Sequence, residues 1–206
     1  MKIETPNPIK ILIYGEERID FIQNIITNDI LNESKSLYSY ILTPQGKILF
    51  EIKIILMNDC LEIICSNDQS DLLSYLEKYA KLSDISLQKF QLDKANFGES
   101  YFLDSLKMGK IDTNFLPHST LNPSEVHDEY INYQKGCFVG QEVVSRIKHR
   151  QLQKKNILIF EKINQNTLNL PDDFELLIEF KNFLVLRLPK NIEYLNFESE
   201  LGLRKI

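Results

Sequence analysis

The stretch YQKGCFVGQEVVSRIKHR, residues 133–150, carries more chemical information than any other part of the chain. Within it a thiol, Cys137, lies between Gly136 and Gly140, and a charged amphipathic segment follows. Glycine allows a backbone to turn tightly or to approach another group closely. The sequence therefore predicts an irregular turn around the sulfur atom, and we interpret the remainder of the chain as the scaffold of this loop.

The segment after this turn has the spacing of a short helix. Apolar Val143, Val144 and Ile147 recur at helical intervals among polar residues. We expect this helix to begin one or two residues after Cys137. The unpaired N–H groups of a helix start and the ammonium group of Lys135 would both favour the thiolate form. On local chemistry alone, an equal alternative is that the cysteine is a small buried hydrophobe that packs the turn.

Residues 135–142, KGCFVGQE, resemble the K-G-C-[YF]-x-G-Q-E signature of the YgfZ family, and every fixed position is present. Members of this family are folate-binding relatives of the glycine-cleavage T-protein (GcvT) that support iron–sulfur cluster enzymes. The resemblance implies a working thiol whose ionisation depends on the neighbouring lysine and on the helix start. It assigns catalytic positions to Cys137, Lys135, Gln141 and Glu142, and cofactor-binding positions to Gly136 and Gly140.

Residues 15–30 resemble a second block of the same family, G-x-D-x-x-x-F-L-Q-G-x-x-T-x-D-V. The matching residues are Phe21, Gln23, Thr27 and Asp29, and Asn24 replaces the usual glycine. In the family this block lies near the pterin-binding centre. The resemblance therefore implies that Gln23, Thr27 and Asp29 line the pterin pocket.

Residues 39–49, SYILTPQGKIL, predict a strand, a turn and a second strand, because Pro44 and Gly46 cannot both lie in a strand ladder. The segment is similar to the L-x-P-Q-G-[RK]-x-L hairpin of the family. Lys47 then has two interpretations. It is either an exposed cation of the turn or a cation that faces an anionic ligand.

Residues 97–122 lose periodicity and contain glycine, proline and asparagine, a composition typical of ligand-facing loops. Tyr101 lies where relatives carry an aromatic residue before a G-[IF]-P element, whose proline is replaced here by Ile111. The tyrosine either stacks on a pterin ring or packs in the core. FLPHSTLN, residues 115–122, resembles the F-[IL]-P-[QE]-x-x-x-N segment of the family, with His118 in the polar position.

Asn122, Pro123 and Glu125 have the arrangement of a helix cap, which explains the asparagine by structure before any function is invoked. His118 and His127 lack the spacing of a metal site. The sequence therefore predicts no histidine-bound metal.

The cysteine pattern leads to the same expectation. Cys60 and Cys65 are five residues apart in a strand-like run, which places them on opposite faces and argues against a disulfide. The chain has no paired Cys-x-x-Cys motif, and an iron–sulfur cluster needs about four thiolate ligands. We expect no stably bound metal.

Alternating strand and helix patterns predict an α+β fold with a largely antiparallel sheet. The predicted strands are residues 9–13, 39–49 as a hairpin, 52–57, 61–65, 85–90, 156–160, 174–180 and 183–188, and the predicted helices are residues 16–26, 69–82 and the one after the signature. The resemblance implies a GcvT/YgfZ-like folate-binding fold with ferredoxin-like sub-domains. We therefore expect a folate-binding α+β domain at residues 1–150 and a short C-terminal β unit, a truncated barrel, at residues 151–206.

The chain of 206 residues is acidic, with 24 basic and 29 acidic side chains and a net charge of −5. Such a balance argues against nucleic acid as a specific partner. One basic patch follows the signature and consists of Arg146, Lys148, His149, Arg150, Lys154 and Lys155. A charge run is usually a solvated helix face, and the functional alternative is attraction of an anionic ligand, such as a folate glutamate tail, or of an acidic protein.

Cysteine usage and hydropathy bear on the compartment. The chain has an odd number of cysteines, three, and no pattern of a signal peptide. No stretch approaches the roughly eighteen apolar residues of a membrane span. We expect a soluble cytoplasmic protein without a membrane partner.

The leading hypothesis is a folate-binding accessory protein that helps to assemble or repair [4Fe–4S] clusters of client enzymes, with Cys137 as its working thiol. The implied cofactor is tetrahydrofolate or a related folate, and the implied partners are iron–sulfur client or assembly proteins. A second hypothesis is a one-carbon transfer enzyme of the aminomethyltransferase kind, for which Asp93 and Asp104 are loosely placed carboxylates. A third is a binding module in which folate is vestigial and the cysteine is structural.

Overall fold

The computed structural model describes residues 5–32, 35–116, 120–163, 170–192 and 197–206, and two antiparallel sheets form the framework of this part of the chain. The first sheet contains β1 (Ile9–Tyr14), β2 (Ser36–Leu42), β3 (Ile48–Leu56), β4 (Leu61–Cys65) and β5 (Ser86–Gln91), in the order β2-β3-β4-β1-β5. The second contains β6 (Lys155–Lys162), β7 (Glu175–Phe180), β8 (Phe183–Pro189) and β9 (Leu203–Lys205), in the order β7-β8-β6-β9. An α+β fold with antiparallel sheets is confirmed.

The helices are short. The α-helices of the described residues are α1 (Arg18–Gln23), α2 (Leu72–Ala80), α3 (Glu99–Lys107), α4 (Gln141–His149) and α5 (Phe197–Leu201). Short 3-10 helices span Ile30–Asn32, Lys94–Phe97, Thr113–Phe115, Pro123–Glu125 and Asp128–Tyr130. None of the helices in this part of the chain has the length and apolarity that crossing a membrane requires.

Strand β1 shows why the first sheet forms where periodicity predicts it. Ile9, Ile11 and Ile13 alternate along the strand and are fully buried in a core cluster that includes residues of α1 and α2. Each buried side chain of this size contributes about 1.5–3 kcal/mol. The strand pairs with β4 on one side and with β5 on the other. Its alternating pattern therefore reflects one face turned to the helices.

Helix α1 is shorter than the predicted residues 16–26, because the chain after Gln23 turns to pair with β2. The backbone of Ile26 forms an isolated bridge with Ile41. The Thr27 N–H donates to the Tyr40 carbonyl at 3.0 Å. This pairing competes with continuation of the helix and depends on a strand that comes later in the sequence.

Strand β3 is continuous, whereas the sequence pattern predicts two strands with an interruption near residue 50. Its ladder to β2 runs without a shift from Ser36 to Ile41, and the irregularity falls only at the hairpin end, between Ile41 and Leu42. The predicted interruption is wrong. Strand β3 therefore joins the end of the predicted hairpin, residues 39–49, to the predicted strand 52–57 in a single element.

Helix α3 lies within residues 97–122, for which the sequence predicts only loops, and that prediction is wrong. Phe102 and Leu106 are one turn apart and buried, which holds the helix against the core. The remaining positions are largely polar, so the apolar stripe is too narrow to identify the helix from the sequence.

Helix α2 begins later than predicted, because the side chain of Asp71 accepts a hydrogen bond from the Ser74 N–H and caps it.

A buried cluster joins the two sheets. It includes Tyr40 of β2, Phe102 of α3, and Ile157 and Val185 of the second sheet. The three predicted C-terminal strands are present with shifted ends, while α5 and β9 are additions to the prediction. The predicted domain boundary at residue 150 falls between α4 and β6, and the buried cluster crosses it. This boundary and the ferredoxin-like sub-domains stay predictions.

Candidate functional site

A cavity of about 450 Å³ lies between the β2–β3 part of the first sheet and helix α3. A second cavity of about 230 Å³ shares part of its wall. The residues that line both are Tyr38, Glu51, Tyr101 and Asp112. His127 and Tyr130 line the first cavity, and Lys53 and Asn114 line the second. We call the two cavities together the tyrosine–acid cleft.

Strand register brings an aromatic wall and a carboxyl group to one face of the sheet. Tyr38 and Tyr40 are two residues apart in β2, and Lys53 and Glu51 lie opposite them in β3. Residues directly opposite each other in antiparallel strands share a face. Tyr130 stacks on Tyr38, with 5.4 Å between ring centroids and 16° between the ring planes. The stacked rings therefore lie on the same side of the sheet as Glu51.

Glu51 and Asp112 form a buried acid pair in the wall of the cleft. Glu51 Oε2 accepts hydrogen bonds from the Thr113 N–H at 3.0 Å and from Thr113 Oγ1 at 2.7 Å. Asp112 Oδ2 accepts one from Tyr101 Oη at 2.9 Å. Burial, followed by the negative charge of Asp112, raises the pKa of Glu51 to about 8. At neutral pH the pair therefore presents a proton on Glu51 next to an acceptor on Asp112.

Asn114 holds the acid pair to the sheet. Its Oδ1 accepts a hydrogen bond from the Glu51 N–H at 3.0 Å, and its Nδ2 donates to the Glu51 carbonyl at 2.8 Å and to Ser66 Oγ at 3.0 Å. The Asn114 N–H donates to Asp112 Oδ1 at 3.0 Å. A buried polar network with its bonds made is rigid. Asn114 therefore fixes the backbone of Glu51 and one carboxylate oxygen of Asp112, while Thr113 holds the carboxyl group of Glu51.

The tyrosine hydroxyls of the cleft stay neutral and act as hydrogen-bonding groups. Burial, followed by the charges of nearby carboxylates, raises the pKa values of Tyr38, Tyr101 and Tyr130 above the usual value for tyrosine. Tyr40, opposite Glu51, is fully buried, and its hydroxyl has no hydrogen-bond partner within the described part of the chain. An unpaired buried hydroxyl costs about 1–3 kcal/mol.

Two residues that the sequence resemblance assigns to a cofactor belong to the cleft or to its support. Tyr101 lines both cavities. Thr27 is fully buried behind the wall, where its Oγ1 donates to the Tyr130 carbonyl at 2.7 Å and accepts from the Tyr40 N–H at 3.0 Å. Thr27 therefore positions Tyr130 and β2 without lining the cleft.

Gln23 and Asp29 bond to each other and line neither cavity. Gln23 Nε2 donates to Asp29 Oδ1 at 2.9 Å, and Gln23 Oε1 accepts from the Ile30 N–H at 3.0 Å. Asp29 also accepts from the Leu31 N–H and from Asn32 Nδ2, at 3.0 and 2.6 Å. These bonds close the turn after α1. A role of the two residues in folate binding stays a prediction.

Lys135 is buried between the signature loop and the end of α1. Its ammonium group donates to the Gln23 carbonyl at 2.5 Å and to the Ile26 carbonyl at 2.6 Å. The Phe138 ring centroid lies 5.4 Å from its Nζ atom. Burial lowers the pKa of this ammonium group to about 8. The lysine attaches the loop to α1, and its predicted effect on the Cys137 thiol stays a prediction.

The two glycines of the signature differ in what the fold requires of them. Gly140 has a φ of +81°, and a Cβ atom there would lie 2.6 Å from the Thr43 carbonyl oxygen and 3.1 Å from Gly46 Cα. Only glycine fits, because the loop packs directly on the turn of the predicted hairpin. A Cβ atom on Gly136 would meet nothing within 4 Å in the described residues. Local packing therefore explains Gly140 and leaves Gly136 unexplained.

Cys137 is exposed and lines neither cavity of the cleft, so its interpretation as a buried hydrophobe is wrong. Helix α4 begins at Gln141, four residues after the cysteine, because the left-handed Gly140 first reverses the chain. Gln141 Nε2 is 3.5 Å from the Gly136 carbonyl, and Glu142 is exposed. The predicted catalytic roles in this loop stay predictions.

Lys47 belongs to a polar chain that joins the hairpin to the second sheet. Its Nζ donates to Asn122 Oδ1 at 2.8 Å, and Asn122 Nδ2 donates to Glu125 Oε1 at 2.6 Å. Arg187 of β8 holds both carboxylate oxygens of Glu125, at 2.8 and 3.0 Å. Asn122 occupies the predicted N-cap position, before Pro123 at the start of a 3-10 helix, but its side chain makes no capping bond to the backbone. Contact of Lys47 with an anionic ligand stays a prediction.

The other predicted positions lie apart from one another. Asp104 lines the first cavity and pairs with Lys107 at 3.3 Å on the surface. Asp93 caps a 3-10 helix by accepting a hydrogen bond from the Ala95 N–H. His118 lies outside the described residues.

The structure offers no metal centre in the residues it describes. No three side chains among His, Cys, Asp and Glu cluster there in a way that would hold a metal ion. Cys60 and Cys65 are both buried and form no disulfide. The acid pair of the cleft is thus a hydrogen-bonding group and not part of such a cluster.

Glu51, Asp112 and Tyr130 are site residues that no sequence motif predicts. Glu51 has a usable signal, because it is the one carboxylate in the apolar run ILFEIKIIL, residues 48–56, and a buried carboxyl group needs a specific partner. The DTN run at residues 112–114 is a weaker signal. Tyr130 has none, since only its stacking on a distant strand identifies it.

Neither a protein-family model nor a curated protein matches the chain. Among solved structures, the chain is similar to the glycine cleavage system aminomethyltransferase T from Bartonella henselae, with a TM-score of 0.61. The similarity covers 90% of this chain and 77% of that chain, at 11% sequence identity. An identity this low shows the fold alone. The chain therefore has the GcvT-like fold that the sequence predicts, and membership in the YgfZ family stays a prediction.

Proposed function

We propose that the protein binds a folate of the tetrahydrofolate kind in the tyrosine–acid cleft. The observation that carries the proposal is the buried Glu51–Asp112 pair beside the stacked rings of Tyr38 and Tyr130. The pterin ring of a folate is flat and has N–H donors and lone-pair acceptors along one edge. Such a ring needs an aromatic wall and a carboxyl group at its edge, and the cleft has both. The similarity to an aminomethyltransferase T supports the proposal at the level of the fold.

The acid pair suits a mixed donor and acceptor edge. Glu51 holds a proton up to a pKa of about 8, so near neutral pH the wall of the cleft offers a donor on Glu51 as well as the acceptor oxygens of Asp112. A hydrogen bond to a charged group contributes about 1.5–3 kcal/mol, more than one between neutral groups. Asp112 is therefore the group that we expect to contribute most to recognition of the pterin edge.

The size and the remaining charges of the cleft also fit a folate. Its larger cavity, about 450 Å³, is of the size that holds small molecules, about 300–1,000 Å³. Stacking of a flat ring on a tyrosine adds about 0.5–1.5 kcal/mol beyond area burial. Lys110 lines the first cavity and Lys53 the second, and these cations complement the carboxylates of a folate glutamate.

We propose further that the folate-bound protein assists the assembly or repair of [4Fe–4S] clusters in client enzymes, with Cys137 as its working thiol. This part rests on the KGCFVGQE signature. The exposure of Cys137 supports it, because a partner can reach the sulfur atom.

Isothermal titration with tetrahydrofolate tests the cleft. We expect micromolar binding by the wild type and about tenfold weaker binding by Asp112→Asn, because a charged acceptor is lost. Asp59→Asn removes an exposed carboxylate from the β3–β4 turn and is the matched control, with unchanged binding. Absence of heat with millimolar tetrahydrofolate, or equal weakening by both variants, contradicts the proposal.

Replacement of the thiol tests the accessory role. We expect Cys137→Ser to leave tetrahydrofolate binding unchanged and to lower the activity of cluster-dependent enzymes in the producing cell. Cys60→Ala, at a buried cysteine, is the control for loss of a thiol as such. Normal activity of those enzymes in cells that contain stable Cys137→Ser protein contradicts the role.

A further inference from the structure

Helix α4 and the segment after it present unpaired positive charge on an acidic protein. Residues 143–160 contain five Lys and Arg side chains and no Asp or Glu, although the whole chain has a net charge of −5. Two of the five are neutralised internally, since Lys148 pairs with Asp128 and Lys155 lies 3.9 Å from Glu175. The other three basic side chains of this stretch have no ion pair among the described residues. The exposed cations without an ion pair there are Arg146, Arg150 and Lys154.

Backbone contacts bring these cations into two pairs, which lie four residues apart along the chain. The Arg150 N–H donates to the Arg146 carbonyl at 3.1 Å, so the two residues lie one helical turn apart on the same side of α4. The Lys190 N–H donates to the Lys154 carbonyl at 2.9 Å and adds a further exposed cation from the end of β8. We call Arg146, Arg150, Lys154 and Lys190 the basic face.

An exposed leucine lies within the same segment. Leu152 is 49% exposed, and its N–H donates to the Ile147 carbonyl at 2.9 Å. Gln151, just before it, has a φ of +52°, which residues with a side chain rarely adopt. Gln153, just after it, is held by a hydrogen bond from its Nε2 to the Ser124 carbonyl at 2.8 Å. Hydrogen bonds of Leu152 and Gln153 therefore fix the segment that exposes the leucine to solvent.

We propose that the basic face docks an acidic protein surface, with Leu152 as the apolar centre of the contact. Arginine around an apolar side chain is the composition of energetically important positions in protein interfaces. Carboxylates of a partner would complement the cations of the face and speed its association. The docking surface is separate from the tyrosine–acid cleft and does not depend on a ligand there.

Nucleic acid suits this surface less well. Proteins that bind single strands place aromatic side chains among their cations to stack on the bases. Residues 139–159 contain no Phe, Tyr or Trp. An aliphatic side chain among arginines instead fits a folded protein partner.

The test is a fluorescence anisotropy titration of the full chain with two labelled peptides, decaglutamate and a peptide of the same length that alternates Glu and Leu. We expect Arg146→Glu/Arg150→Glu/Lys154→Glu to weaken the binding of both peptides by about tenfold or more. The matched control is Lys35→Glu/Lys78→Glu/Lys94→Glu, which makes the same charge change at exposed lysines elsewhere. We expect this control to stay within about twofold of the wild type.

Two further variants keep the test decisive. Leu152→Ser is expected to weaken the alternating peptide about threefold and to leave decaglutamate unchanged, because only the first peptide offers an apolar contact. If the triple variant does not fold by circular dichroism, Arg150→Glu alone is expected to weaken both peptides about threefold.

Several results would overturn the proposal. One is the absence of peptide binding by the wild type, and another is equal weakening by the control triple variant. A third is an unchanged affinity of Leu152→Ser for both peptides. A fourth is tighter binding of a single-stranded RNA, or of phosphatidylglycerol vesicles, than of either peptide at the same salt concentration.

Discussion

The signature loop and the tyrosine–acid cleft differ in how their chemistry is distributed along the chain. The loop is one consecutive segment, yet two of its motif residues are occupied by packing: Lys135 bonds to the end of α1, and Gly140 packs on the hairpin turn. The cleft is assembled from Glu51, Asp112 and Tyr130, which belong to no common motif. A motif match therefore identifies a structured loop, whereas the position of a cavity depends on contacts between segments.

The largest expected effect comes from the cleft and concerns pH. Folded Glu51 keeps its proton up to a pKa of about 8, while an unfolded glutamate loses it near 4.5. Folding therefore binds a proton between these values, and the free energy of unfolding falls as pH rises through this window, by about 5 kcal/mol in total. Glu51→Gln should remove this loss, as measured by urea denaturation at several pH values.

The matched control for this pH dependence is Glu142→Gln in the signature loop, where the carboxylate is exposed. We expect its stability to follow that of the wild type at every pH. A wild type and a Glu51→Gln variant with the same pH dependence would show that the acid pair does not hold a proton.

The second effect separates the two glycines of the loop. Gly140→Ala should lower the free energy of unfolding by about 3 kcal/mol, because the new Cβ meets the Thr43 carbonyl and the backbone is left-handed. Gly136→Ala, where the Cβ meets nothing, should change it by less than about 1 kcal/mol. Urea denaturation of both variants gives the comparison, and equal losses would show that the loop does not pack on the hairpin as described.

The third effect concerns Lys135. Lys135→Met should lower the free energy of unfolding by about 2 kcal/mol, because the carbonyl groups of Gln23 and Ile26 lose their partner. Lys154→Met, at an exposed lysine, should stay within about 0.5 kcal/mol. The rate of Cys137 alkylation by iodoacetamide is measured in parallel. If Lys135→Met leaves the stability unchanged but slows the alkylation of Cys137, the lysine acts on the thiol and does not attach the loop to α1.

The smallest effect distinguishes the two interpretations of Lys47. Lys47→Met should lower the free energy of unfolding by about 0.5–1 kcal/mol, because the hydrogen bond to Asn122 is lost. We expect tetrahydrofolate binding to stay unchanged in calorimetry. Lys110→Met, at a lysine that lines the cleft, should weaken it and is the contrast. A tenfold loss of folate affinity in Lys47→Met would instead show that this cation reaches the ligand.

The successes and failures of prediction from sequence have one physical cause. Strand β1 was predictable because three isoleucines alternate within five residues and bury one face. Helix α3 was not, because only Phe102 and Leu106 of its nine residues are buried, and the rest of the pattern is polar. The length of α1 was overestimated, since the pairing of Ile26 with Ile41 ends it from outside.

Local patterns were sufficient for the α+β class, for β1 and for a helix after the signature, because hydrophobic periodicity and glycine geometry act over a few residues. The cleft required the folded chain. Asn114 bonds to the backbone of Glu51 across 63 residues, and strand register sets Tyr40 opposite that same glutamate. The raised pKa of Glu51 exists only there, because the burial that causes it is absent until these distant segments meet.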